Sequence, residues 1–102
     1  MDQKLATKRL AELGNETRLS VFRLLVKAGP EGLAVGDIQQ RLAMSGSTLS
    51  HHLHRLIAAG LMHQRRDGRT LYCVAELSAL NEVVNFLNAE CCTLELEQKN
   101  SS

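Results

Sequence analysis

The 102-residue chain has no apolar run near the roughly 18–20 residues that span a bilayer, and its mean hydropathy of -0.13 is that of a globular protein. Its start, Met1-Asp2-Gln3-Lys4, lacks the apolar stretch of a secretory signal, so a cytoplasmic protein with no membrane partner is expected. Cysteine is scarce: Cys73, Cys91 and Cys92 are an odd number, which argues against a disulfide framework and for reduced thiols. No Cys-x-x-Cys is present and no histidine lies near Cys91-Cys92, so no nucleophile–base pair suggests an enzyme. Repeats, low-complexity tracts and interdomain linkers are also missing. What remains is one domain over residues 1–95 with a modest core, followed by a polar tail, 96–102, expected to be disordered.

Net charge is nearly absent too, at +1, but that average hides a gradient. Residues 41–69 hold Arg41, Arg55, Arg65, Arg66 and Arg69 against Asp67 alone, a balance of +4. All four histidines, His51, His52, His54 and His63, lie in the same stretch. Residues 76–98 carry five glutamates and no lysine or arginine. A basic surface with acidity elsewhere suits landing on phosphate in one orientation, although a solvated charged face would show a similar gradient.

The pattern of apolar residues predicts mostly helix. Leu5, Ala6, Leu10 and Leu13 have helical spacing over 3–13, and Asn15 is a good N-cap for the next helix. That helix is expected to bury Leu19, Phe22, Leu25 and Val26 and to stop at Gly29-Pro30. After a turn over 29–33, a short helix over 35–43 turns Ile38 and Leu42 inward. Ser45 caps a helix over 46–59, in which Leu49, Leu53 and Leu56 form one narrow stripe with Ile57 at its edge. Ser47, Ser50, His51 and His54 cluster on the other face, whereas the angle of His52 suits a packed, hydrogen-bonded core residue. Residues 61–65 and 70–74 read as strands joined through Asp67-Gly68. A last helix over 77–92 carries Leu77, Leu80, Val83, Val84, Phe86 and Leu87.

Helix, tight turn, helix and basic hairpin in that order form a winged helix-turn-helix, whose usual partner is double-stranded DNA. Short polar groups such as Ser47, Ser50, His51 and His54 can read base edges in the major groove. Arg65, Arg66 and Arg69 on the wing are long enough to reach backbone or minor groove, and Arg41 and Arg55 can add phosphate contacts. Read without that order, a polar helix face and a basic hairpin also fit solvated decoration, or a protein–protein winged helix.

Four segments, Leu13-Gly14-Asn15-Glu16-Thr17-Arg18-Leu19, Met44-Ser45-Gly46-Ser47-Thr48-Leu49-Ser50-His51-His52-Leu53, Ala59-Gly60-Leu61 and Arg65-Arg66-Asp67-Gly68-Arg69-Thr70-Leu71-Tyr72, resemble the successive signatures of ArsR/SmtB-type repressors. The resemblance covers roughly residues 5–92. It implies a homodimeric repressor, paired through its first and last helices, that an inducer releases from operator DNA. The width of the apolar arc on the last helix independently favours a two-fold partner.

Two sensing sites known in that family have no counterpart here. Ala34-Val35-Gly36-Asp37 carries no thiol, and the last helix has no histidine. Cys91-Cys92 remains, and the resemblance implies that such a pair takes trivalent arsenic or antimony, with no further cofactor required. Thiolates favour such soft ions. Nothing after Cys92 supplies a third sulfur, and Cys73 on the second wing strand reads as buried and structural. A redox switch, as an intermolecular or glutathione-type adduct, is the alternative use of the pair, and no sensing role is another.

Overall fold

The computed structural model describes residues 1–95; the expected disordered tail, 96–102, lies outside the described residues. Two helices open the chain, α1 (Gln3–Leu13) and α2 (Glu16–Ala28). Each starts on a side chain that accepts a free backbone N–H: Asp2 from Leu5, and Asn15 from Arg18 at 2.9 Å. A short 3-10 turn, Gly29–Glu31, leads into β1 (Leu33–Ala34), α3 (Val35–Leu42), α4 (Gly46–Ala58), β2 (Met62–Asp67), β3 (Thr70–Ala75) and α5 (Leu77–Asn88).

The strands form an antiparallel sheet in the order β1-β3-β2. β1 was not expected, since Leu33 falls at the end of the anticipated turn. It forms because Gly32, at φ 72°, brings the chain so close to β3 that a Cβ there would collide with the Cys73 carbonyl. Leu33 then pairs with Cys73 and Ala34 with Tyr72. The hairpin turn is Gly68-Arg69 rather than Asp67-Gly68: β2 runs to Asp67, which pairs with Thr70, and Gly68 supplies the positive φ of 61°.

The core is built from Val21, Phe22, Leu25, Ile38, Leu49, Leu53, Leu56, Leu61 and Cys73. The leucine stripe of α4 is therefore buried as expected, and Ile57 stands at its edge, 38% exposed. On α2, Phe22 and Leu25 are buried as expected and Val26 packs half-buried against the core, but Arg18 and Val21 complete the face in place of Leu19. The buried face runs Arg18, Val21, Phe22, Leu25, while Leu19 is 38% exposed. The arginine at its first position disguises that stripe as polar.

Candidate nucleic-acid interface

The turn between α3 and α4 sets the angle of α4. Ala43 adopts the left-handed conformation (φ 49°, ψ 50°), so that the N–H of Met44 donates to Gln39 O at 3.0 Å and the N–H of Ala43 reaches Gln40 O. Two residues later the Ser45 hydroxyl caps α4, accepting from the N–H of Thr48 at 3.3 Å. Ser47, Ser50, His51 and His54 are all exposed on one face of α4, with no apolar side chain between them. Ser50 and His54 also line a shallow cleft of ≈ 260 Å³ with Ile57 and with Leu71 of the wing, so helix and hairpin share one concave surface.

The wing arginines are not equivalent. Arg65 lies over the ring of its cross-strand partner Tyr72, 4.7 Å from the centroid, and its Nη2 donates to Glu31 O at 3.1 Å. Those contacts stiffen the base of the wing and fix where Arg65 points. Arg66 and Arg69, nearer the tip, are exposed and make no ion pair among the described residues. At the other end of the hairpin, His63 Nδ1 pairs with the carboxylate of Glu76.

Arg55 sits on the same helix as these four polar side chains, but its guanidinium is engaged. Its Nε and Nη2 donate to the Glu12 carboxylate at 2.8 and 3.0 Å, and Arg18 Nη1 lies 3.1 Å from the same carboxylate. The bonds from Arg55 hold the Glu12 carboxyl below its ordinary range, against the opposing effect of burial. Sequence reasoning missed Glu12, Arg18 and the buried Arg9. A signal was present: Ala6, Arg9 and Leu13 share one helical stripe, and a charged residue within an apolar stripe marks a buried polar contact.

His52 is buried as expected, but its Nδ1 has no hydrogen-bond partner among the described residues, and neither has Arg18 Nε. Burial, with Arg18 and His51 nearby, pushes its imidazole below the ordinary value.

The last helix ends at Asn88, not at residue 92, because Ala89 turns the backbone to an extended conformation (φ -58°, ψ 139°); residues 93–95 are helical again. Cys91 and Cys92 therefore lie past α5, exposed. Positive φ at Glu90 (62°) and Cys92 (68°) folds the segment so that the two sulfurs sit 3.2 Å apart. The thiol of Cys92 is pushed up by its hydrogen bond with Cys91. Among the described residues no group of three or more His, Cys, Asp or Glu is arranged to hold a metal ion. Cys73 is fully buried behind Gln64, and burial raises its thiol pKa. On α5 only Ala79 and Val83 are buried; Val84 and Leu87 stand 45% and 60% exposed, with Leu10 of α1 also in the open.

The family profile described as "Helix-turn-helix domain" matches residues 13–65. The nodulation protein NolR of Rhizobium meliloti is 33% identical over 87 residues, covering 85% of this chain and 69% of that protein. A putative arsenical resistance operon repressor ArsR of Halobacterium salinarum is 43% identical over 60 residues, or 59% of this chain and 46% of the relative. Among solved structures, the homodimeric winged helix-turn-helix DNA-binding domain Mb0332 of Mycobacterium bovis superposes with a TM-score of 0.67 at 25% identity, covering 86% of this chain and 82% of that one. The AntR antimony-specific transcriptional repressor gives 0.60 at 27%, covering 87% and 77%. A winged helix-turn-helix with an exposed polar face on α4, matched along most of its length by such regulators, belongs to the ArsR/SmtB family of transcriptional regulators.

Proposed function

We propose that this chain is a cytoplasmic, dimeric repressor that occludes its operator until a trivalent arsenic or antimony species binds Cys91 and Cys92. The observation that carries the DNA half is the surface that α4 shares with the wing through Ser50, His54 and Leu71. Ser47 and His51 are exposed on the same helix face, and Arg66 and Arg69 are exposed on the wing without an ion pair among the described residues. In this reading the four α4 side chains contact base edges or nearby phosphates. Arg41, Arg65, Arg66 and Arg69 grip the backbone or minor groove. The exposed Leu10, Val84 and Leu87 support pairing through α1 and α5, since a two-fold axis there covers apolar surface and places two reading helices along one face of a duplex.

The inducer half rests on the two sulfurs held side by side in a strained segment. They would supply two soft ligands to one ion, and the third comes from solvent, a small thiol or the dimer partner. Two relatives carry metalloid names, the Halobacterium arsenical repressor and AntR, which supports the ligand class. Arsenite titrated into the protein–operator complex should release the parent and leave Cys91→Ser/Cys92→Ser bound. Equal release of both proteins would move the site elsewhere, and release by peroxide but not arsenite would assign the thiols to redox sensing.

A further inference from the structure

The reading helix is held from behind at its C-terminal end, where α4 turns into the wing. The last carbonyls of a helix have no partner within it. That of Ala59, the C-cap residue of α4, accepts from Arg9 Nε at 3.0 Å. Arg9 belongs to α1, fifty residues earlier in the chain. The other arm of its guanidinium goes to α5: Nη1 donates to Ala79 O at 3.3 Å and to Glu82 Oε2 at 3.0 Å. One planar cation, only 11% exposed, thus ties α1, the end of α4 and the first half of α5 together.

The fit is tight around Gly60, the residue between α4 and β2. Gly60 takes φ 73°, and a Cβ there would come within 3.3 Å of Arg9 Nη2. The next residue, Leu61, accepts from the N–H of Glu76 at 2.8 Å, so the root of the wing is fixed to the start of α5 at the same place. A positive side chain at a helix C-terminus is also favoured by the helix dipole. Arg9 needs no exposure to DNA to act; it sets where α4 and β2 point.

From this geometry we infer that Arg9 is the positioning residue of the reading head, coupling the orientation of α4 to α5 through Ala59 and Glu82. The inference rests on α4 being the element that reads DNA. Orientation matters to base readout, which needs hydrogen-bond geometry, and hardly at all to phosphate attraction, which is long-ranged. Loss of Arg9 therefore costs specificity, while general attraction to duplex stays.

The test compares a duplex selected by the parent protein from random sequences with a scrambled duplex, across a salt series. Arg9→Met keeps the apolar stem and removes every donor. It should keep the parent's affinity and salt slope on scrambled DNA, with the preference for the selected duplex falling by about tenfold. Glu82→Gln, at a side chain 55% exposed, keeps the fold and weakens only the α5 side of the tie, and its preference should fall by about threefold. Should Arg9→Met fail to fold, Glu82→Gln alone decides. An unchanged preference in the folded variants overturns the positioning role. A parent protein that selects no duplex overturns the DNA-reading function itself.

Discussion

Glu12 on α1 and Arg55 on α4 meet side by side, Oε2 to Nε at 2.8 Å and Oε1 to Nη2 at 3.0 Å. The same carboxylate takes the buried Arg18 of α2, so three helices converge on one acidic side chain that is itself 12% exposed. Glu12 lies one turn beyond Arg9 on α1, which places both polar holds on the same side of that helix.

The pairing makes part of the stability acid-labile. The Glu12 carboxyl is held below its ordinary value of 4.5, chiefly by the bonds from Arg55. Its contribution is therefore complete above pH 4.5 and is lost as pH falls through the lowered value. Glu12→Gln should cost about 1–3 kcal/mol at neutral pH, toward the lower figure because half-exposed Arg55 is screened by solvent. Denaturant unfolding at pH 7 and at pH 3 checks it. The gap between parent and variant should narrow at the acid end, and a gap of constant size would remove the ion pair from the explanation.

The same pair separates two arginines that composition alone makes alike. Arg66 is exposed at the wing tip with no ion pair among the described residues, whereas Arg55 is spent on Glu12. Arg66→Ala should weaken binding to all duplexes and reduce the slope of log affinity against log salt by about 1. Arg55→Ala should leave that slope within about 0.3 of the parent. Fluorescence anisotropy between low and moderate salt measures both, and equal losses would mean that Arg55 leaves Glu12 to contact phosphate.

Much of this architecture was legible because local signals agreed with tertiary ones. Ser45 capped α4 as its type suggests, and Leu49, Leu53 and Leu56 kept their helical stripe. The exposed polar face of α4 followed from the same periodicity, and the wing from the strand and turn signals. Reading failed where a charged residue took a core position. Arg18 begins the buried face of α2, so the apolar pattern named Phe22 and Leu25 correctly but took Leu19 for the face in place of Arg18 and Val21. It failed again past Asn88, where helical residue types continue but the backbone leaves the helix at Ala89, and the cysteine pair falls in the segment that follows. The stripe of α1 marks Arg9 as a buried polar contact, but its partners lie fifty and more positions away, and no local pattern names them.

His52 offers a prediction of the opposite chemical type, since its ring is buried with Nδ1 unbonded among the described residues. Burial, then the nearby Arg18 and His51, keep its imidazole below the ordinary 6.5, so the folded chain resists a proton that the unfolded chain accepts. Stability is unaffected above pH 6.5 and declines as pH falls from there through the lowered folded value. His52→Leu removes that linkage. At pH 7.5 it replaces a neutral, partly unsatisfied ring with an apolar side chain, and stability should stay within about 1 kcal/mol of the parent. At pH 5.5 the variant should be the more stable relative to that baseline. Glu12 titrates below this window, and the exposed His51, His54 and His63 are common to both proteins, so they largely cancel in the difference between the two curves. Thermal melts taken in half-unit steps from pH 7.5 to 5.5 would decide it: parallel curves would mean that His52 takes its proton as readily in the fold as out of it.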